Sequence, residues 1–315
     1  MSVEADELWR SFLASRSDDF DLDDERAGVA AASAEHPRRP GVAETSRMIA
    51  GLEVVVARPE RPRSDLVVVW VHGGAFTVMR ASSYAATAGH LAGELGCEVL
   101  VPDYPLAPEV RFPAALDELD DCYRAVLDES DDAEVVLLGD SAGAALVVGL
   151  TMRLRDRGEP LPFLSVLVCP WVDLTLTNRS LRDNAELDAV LGAAPLAFHV
   201  DAYLGADVAP DDPEASPFHG DLGDLGSFVI QAAEYDVLVD DAIRFTRRAR
   251  SAGTDVELEI AAEMPHSYQF FTGVIPEADM ALTRLAATIE ERLGRSGGTG
   301  AGQVAPMRIA PDDRR

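Results

Sequence analysis

Gly139-Asp140-Ser141-Ala142-Gly143 is a GxSxG pentapeptide set between two apolar segments, Val135 to Leu138 and Ala144 to Thr151. A four-residue run closed by a glycine reads as a buried strand, and the longer segment reads as a buried helix, so Ser141 is expected on a strand-to-helix turn. Such a turn needs strained backbone angles, and the glycines on either side leave room for the strand and helix to approach each other. The turn lifts the Ser141 hydroxyl out of the sheet, and the helix that starts there aims backbone N–H groups at whatever the serine attacks.

The segments around this turn repeat one theme. Gly51 to Ala57 is Val-rich, and Leu66 to Val71 is continuously apolar and mostly β-branched, as expected of a strand buried on both faces. Helical spacing over Ser82 to Leu95, a strand at Val99 to Val101 and a helix from Pro113 to Leu127 follow, and Leu164 to Cys169 adds a strand after the turn. Phe228 to Ala233 and Val256 to Ile260 close the series, each followed by a helical pattern, Asp240 to Ser251 and Glu277 to Leu293. Alternation of this kind predicts an α/β fold with a mostly parallel central sheet flanked by helices and right-handed crossovers.

Two stretches fall outside the alternation. In the first, 1–40, Leu8, Trp9, Phe12 and Leu13 form an amphipathic stripe that packs on the body or lines a pocket, and an acidic run from Ser17 to Glu25 follows. In the second, 175–225, the buried-strand signal gives way to Asp and Pro. An insertion there would sit above the carboxyl ends of the strands, where ligands bind, so the two stretches are read as halves of a helical lid. The core is then 41–174 and 226–295, and the Gly, Pro and charge content of 296–315 predicts a disordered tail.

Composition excludes several classes. The formal net charge is −28, and all 27 basic residues are arginine, because the chain has no lysine. So acidic a surface repels nucleic acid and anionic lipid, and neither nucleic-acid binding nor stable membrane association is expected. Cys97, Cys122 and Cys169 are too few and too scattered for a disulfide framework or a zinc site, and no His/Asp/Glu cluster has metal-ligand spacing. No stretch approaches the ~18–20 apolar residues of a membrane span, and the N-terminus has no signal-peptide pattern, so a cytoplasmic location is expected. Homo-oligomerisation is left open.

A serine hydroxyl needs a base, and the base needs a third group to hold its tautomer. The α/β-hydrolase order is serine, then acid, then histidine, with the last two on loops that follow strands. Of the histidines after Ser141, His199 and His219 fall in the insertion, whereas His266 follows the last strand and is the expected base. Asp236 follows a strand directly and is the expected acid, with Glu234 as the alternative; Asp240 and Asp241 read as first-turn carboxylates of the next helix. Two successive glycines follow the buried strand in His72-Gly73-Gly74-Ala75-Phe76. The oxyanion donors are accordingly expected at the N–H groups of Gly73, Gly74 and Ala142, with His72 holding the loop by a hydrogen bond and Asp140 supporting the turn.

These motifs resemble the hormone-sensitive-lipase-like branch of α/β-hydrolases, bacterial-type serine esterases with HGGG near the front and GDSAG at the serine. His72 to Phe76 matches the first with Ala75 in the last small position, and Gly139 to Gly143 matches the second in full. Asp103 to Glu109 is similar to the YxLAPE segment, Pro170 to Leu174 to PWxDL, and Asp236 to Asp240 to the DxLxD segment that holds the acid in the family. His266-Ser267-Tyr268 stands at the late histidine loop. Met79 and Arg80 replace a small Gly-Ser pair, and Val110 replaces a histidine, so the pocket is expected to differ in shape from the family's usual one. The resemblance implies a cofactor-free carboxylesterase acting on short- to medium-chain esters of small molecules. A lactone hydrolase or a small-molecule deacetylase would use the same groups. A non-catalytic receptor, as in the plant gibberellin receptors that resemble this branch, predicts a broken triad.

Overall fold

The computed structural model describes residues 1–15, 20–130 and 132–296, so the expected tail lies, from 297 onward, outside the described residues, as does part of the acidic run after Ser17. Helices α1 (Val3–Ser15) and α2 (Leu22–Ala34) precede β1 (Val42–Ile49), β2 (Leu52–Pro59) and β3 (Leu66–Val71). Then come α3 (Ala85–Leu95), β4 (Glu98–Pro102), α4 (Ala114–Glu129), β5 (Glu134–Asp140), α5 (Ala142–Arg157) and β6 (Leu164–Val168). The insertion carries α6 (Ser180–Asp183) and α7 (Ala193–Leu204), and β7 (Ser227–Ala233), α8 (Val239–Ser251), β8 (Asp255–Ala261) and α9 (Pro276–Ser296) complete the chain.

Among the described residues the strands form one sheet in the order β1-β2-β4-β3-β5-β6-β7-β8. The ladders β1–β2 and β2–β4 are antiparallel, and every other pair is parallel. Side chains of β3 alternate between the two faces: Val69 and Val71 enter the core beneath α4, α5 and α8, while Leu66, Val68 and Trp70 enter the core beneath α3 and α9. Covering on both faces explains why β3, and β5 from Val135 to Leu138, read as unbroken apolar runs.

β1 is not apparent in the sequence. It is a sheet-edge strand with most residues exposed, Met48 among them, so it shows no alternation of polar and apolar positions. It is held by its ladder with β2 and by the turn at Ala50 and Gly51, both at positive φ.

α1 packs on the body. Its Trp9 ring meets Phe271 at 5.2 Å, and Ser2 Oγ donates to Glu277 of α9 at 2.8 Å. α2 instead faces the loops at the carboxyl ends of β3 and β4, through Arg26. The insertion lies over the same end of the sheet, where Tyr203 stacks on Phe76 at 3.9 Å and His199 Nδ1 meets Thr77 Oγ1 at 2.7 Å. Phe20, just before α2, meets Phe198 of α7 at 4.9 Å, so the N-terminal arm and the insertion touch above the loop that follows β3.

Candidate active site

Ser141 stands between β5 and α5 at φ 50° and ψ −120°. A side chain on Gly139 would come within 2.5 Å of the Gly143 carbonyl, and one on Gly143 within 2.2 Å of the Val71 carbonyl. Only glycine fits either position. This close packing holds Ser141 in a backbone region that costs a non-glycine residue about 1–3 kcal/mol.

Three side chains from three loops meet here. His266 Nε2 lies 2.8 Å from Ser141 Oγ, and His266 Nδ1 lies 2.9 Å from Asp236 Oδ2. Asp236, fully buried, also accepts the Leu238 N–H at 2.7 Å, which fixes the other carboxylate oxygen. Burial works against the imidazolium of His266, but the carboxylates of Asp236, Asp188 and Asp140 outweigh it and raise its pKa. Glu234, the alternative acid, is exposed and accepts the Glu263 N–H at 3.0 Å.

The glycine loop after β3 is braced from below. His72 is buried, stacks on Tyr104 at 4.0 Å, and its Nδ1 donates to the Gly73 carbonyl at 2.9 Å, while Tyr104 donates to the His72 carbonyl at 2.8 Å. Burial lowers the His72 pKa to about 4, so the ring is neutral. The Gly73 N–H, expected among the oxyanion donors, is committed: it donates to the Tyr84 hydroxyl at 3.1 Å. That hydroxyl donates in turn to Asp140 Oδ1 at 2.6 Å, and Asp140 Oδ2 accepts from Ser267 at 3.1 Å. Asp140 thereby ties the serine turn to the glycine loop and to the histidine loop. The N–H groups of Gly74, Ala75 and Ala142 have no acceptor among the described residues, and at Ala142 this follows from its place in the first turn of α5. Gly74 has φ 97°, and a Cβ there would lie 2.5 Å from the Met79 nitrogen.

Other expectations resolve differently. Asp240 and Asp241 do more than complement a helix dipole: Asp240 accepts the N–H groups of Arg179 and Ser180, and Asp241 those of Val172 and Asp173. They tie the PWxDL segment and the start of the insertion to α8. His219 pairs with Asp173 at 3.0 Å, away from Ser141. Arg80 and Val110, two of the departures from the family pattern, both line a hollow of about 620 Å³ together with Arg26, Val78 and Leu106.

Tyr84, Asn184 and Asp188 are site residues that sequence reasoning misses. Tyr84 is one aromatic in a helical pattern of small residues, and Asn184 and Asp188 lie in the insertion. The one signal at Asp188 is an acid directly before the apolar Ala189, Val190 and Leu191. Among the described residues, Cys169, Asp236 and His266 bring ligand-type atoms within 4.8 Å of one another. Both imidazole nitrogens are engaged, and burial, then the Asp236 carboxylate, push the Cys169 thiol well above its ordinary range, so the group offers no ready thiolate ligand.

A buried serine, imidazole and carboxylate in this chain order on this sheet define an α/β hydrolase. The alpha/beta hydrolase fold family model matches residues 68–270. An esterase of Acinetobacter venetianus is 34% identical over 251 residues, 79% of this chain and 82% of its own length. An acetyl-hydrolase of Streptomyces hygroscopicus is 34% identical over 238 residues, 75% of this chain and 79% of its own. A crystal structure of an esterase from the bacterial hormone-sensitive lipase family superposes with a TM-score of 0.88 at 31% identity, covering 93% of this chain and 99% of that one. The chain belongs to the α/β-hydrolase fold family, in its hormone-sensitive-lipase-like branch of bacterial carboxylesterases, and is a carboxylic ester hydrolase.

Proposed function

We propose that the chain cleaves short- to medium-chain esters of small molecules through an acyl-enzyme on Ser141, with His266 as base and Asp236 as its orienting acid. The observation that carries this reading is the unbroken relay from Ser141 Oγ to His266 Nε2 at 2.8 Å and from His266 Nδ1 to Asp236 at 2.9 Å. Ser141 Oγ attacks the carbonyl carbon as its proton passes to His266 Nε2, and Asp236 stabilises the imidazolium that forms. The oxyanion is held by the N–H groups of Ala142 and Gly74, with Ala75 in place of the engaged Gly73. Each such donor contributes about 2.7–4 kcal/mol to the transition state. Collapse returns the proton from Nε2 to the leaving alcohol oxygen. A water, deprotonated by the same nitrogen, then attacks the acyl carbon and frees Ser141 and the acid.

α2 and the 175–225 insertion act as the lid over this site, a role supported by their contact at Phe20 and Phe198. The acetyl-hydrolase relative supports a small acyl group, and a small-molecule deacetylase remains the second reading on that ground. The three cysteines are free and buried, which supports a reducing, cytoplasmic setting, and no helix among the described residues is long and apolar enough to cross a membrane. Excess negative charge supports a partner list of small, uncharged esters, without nucleic acid.

Hydrolysis of a p-nitrophenyl ester series from acetate to laurate, with Ser141→Ala as control, tests the reading. The native chain should cleave the short esters, and the variant should lose about 10⁴-fold in kcat or more. Equal rates for the two proteins would remove Ser141 from the chemistry.

A further inference from the structure

We propose that Asp188, a residue of the insertion, is a positioning residue for His266 and Asp236, and that its carboxylate sets the register of their two loops and stands beside the imidazole. The inference rests on the triad reading given above. Asp188 and Ala189 are buried between the exposed Leu187 and Val190, so the segment turns inward here and takes a charged group with it. A buried carboxylate is costly unless hydrogen bonds satisfy it.

Here they do, and two of them come from the site itself. Oδ1 accepts the N–H groups of Val190 at 3.0 Å and Leu191 at 3.1 Å, closing a local turn. The same oxygen accepts the N–H of His266 at 3.2 Å, and Oδ2 accepts that of Val237, next to Asp236, at 3.0 Å. These partners lie 78 and 49 residues away in sequence. One carboxylate thus bridges the two loops whose side chains must meet 2.9 Å apart at His266 Nδ1 and Asp236 Oδ2. Asn184, four residues earlier, supports the grip: its Nδ2 donates to the carbonyls of Glu234 at 2.9 Å and Asp236 at 2.8 Å. The insertion holds the acid loop through donors and acceptors together.

Charge adds to geometry. The titratable groups facing the imidazole are Asp236 from the loop after β7, Asp188 from the insertion, Asp140 at the end of β5 and Cys169 at the end of β6. Burial, then the Asp236 carboxylate, push Asp188 above the ordinary carboxylate range, while the facing imidazole of His266 pulls it back toward the ionised form.

Asp188→Asn and Asp188→Glu separate the two effects, with p-nitrophenyl acetate as the probe and Ser141→Ala as control. In Asp188→Asn an amide N–H₂ must face a backbone N–H, and the charge is gone. We expect kcat to fall about tenfold to a hundredfold with KM within about twofold, and the acid limb of kcat/KM to move to lower pH. Asp188→Glu keeps the charge but shifts the oxygens, so kcat falls while the acid limb stays near the native position. Should Asp188→Asn fail to fold, native kcat in Asp188→Glu would still overturn the positional role. A folded Asp188→Asn with native kcat and acid limb, even with a lowered unfolding midpoint, would reduce Asp188 to a structural tether and overturn the proposal. Failure of the triad reading looks different, because Ser141→Ala would then stay active whatever Asp188 does.

Discussion

On the proposed reading the proton that leaves Ser141 goes to a neutral imidazole, so the acid limb of activity should report His266. Its three facing carboxylates raise it above the ordinary imidazole value of 6.5, against the effect of burial. A raised base is protonated, and idle, over a wider range of acid pH. Activity is therefore lost as pH falls through the raised value and is complete above it. We predict that kcat/KM for a p-nitrophenyl ester climbs about tenfold per pH unit on the acid side and levels off only above the ordinary value of 6.5. Asp236→Asn should lower kcat by about 10⁴-fold, because the amide favours the wrong tautomer, and should move the limb to lower pH. A native limb at or below 6.5 would contradict the raised base. Ser141 and Asp236 are legible in the sequence because each closely follows an apolar strand run, which fixes the loop it occupies, and His266 because it is the histidine that follows the last strand. Asp188 and Asn184 have no such anchor. Nothing in the spacing of an Asp-rich insertion tells that one carboxylate returns to a loop 78 residues later. Gly73 misleads for a related reason, since the partner that takes its N–H, Tyr84, sits on an element whose register against the loop is a product of packing.

At the scale of elements, legibility follows burial. β3 has the bounds read from the sequence, Leu66 to Val71, because a strand covered on both faces is apolar throughout and ends where it meets the site. β1 and α2 are hidden for the opposite reason: β1 is exposed at a sheet edge, and α2 buries only Ser33. With so little apolar area to hold it, α2 depends on polar attachment, and Arg26 supplies much of that. Its guanidinium donates to the Thr77 carbonyl at 2.7 Å, to the Ala107 carbonyl at 3.0 Å and to both oxygens of Glu109. Thr77 follows the glycine loop and Ala107 belongs to the YxLAPE-like segment, so one side chain fastens the arm to both walls beside the site. The ion pair with exposed Glu109 is worth little, whereas charged hydrogen bonds to partly buried carbonyls contribute about 1.5–3 kcal/mol each. Arg26→Ala should therefore speed amide exchange within Leu22–Ala34 at least about tenfold and raise KM, while β3 and β5 keep their protection. Unchanged exchange in α2 would show that some other contact docks the arm.

For the molecule as a whole, two electrostatic effects respond to salt in opposite directions. Arginines are paired over much of the surface, as in Arg47–Glu129, Arg63–Asp65 and Arg292–Asp255, and screening weakens such pairs. With 55 acidic residues against 27 arginines, however, a net charge of −28 remains even if every arginine is paired. Exposed pairs contribute a median of about 0–1 kcal/mol each, and mutual repulsion among the excess carboxylates opposes compaction everywhere at once. Repulsion is the larger effect, so added salt should stabilise the fold. The Debye length shrinks from about 30 Å at 0.01 M to about 10 Å at 0.1 M and 3 Å at 1 M, so most of the screening is complete within the first few tenths molar. We predict that the unfolding midpoint at neutral pH rises steeply with NaCl below about 0.5 M and more slowly beyond, with esterase activity kept throughout. A rise that is linear to high concentration would point to salting-out of apolar surface instead. A midpoint that falls in the first few tenths molar would mean that the arginine pairs outweigh the excess charge, and that the acidic surface is held together locally in spite of its sum.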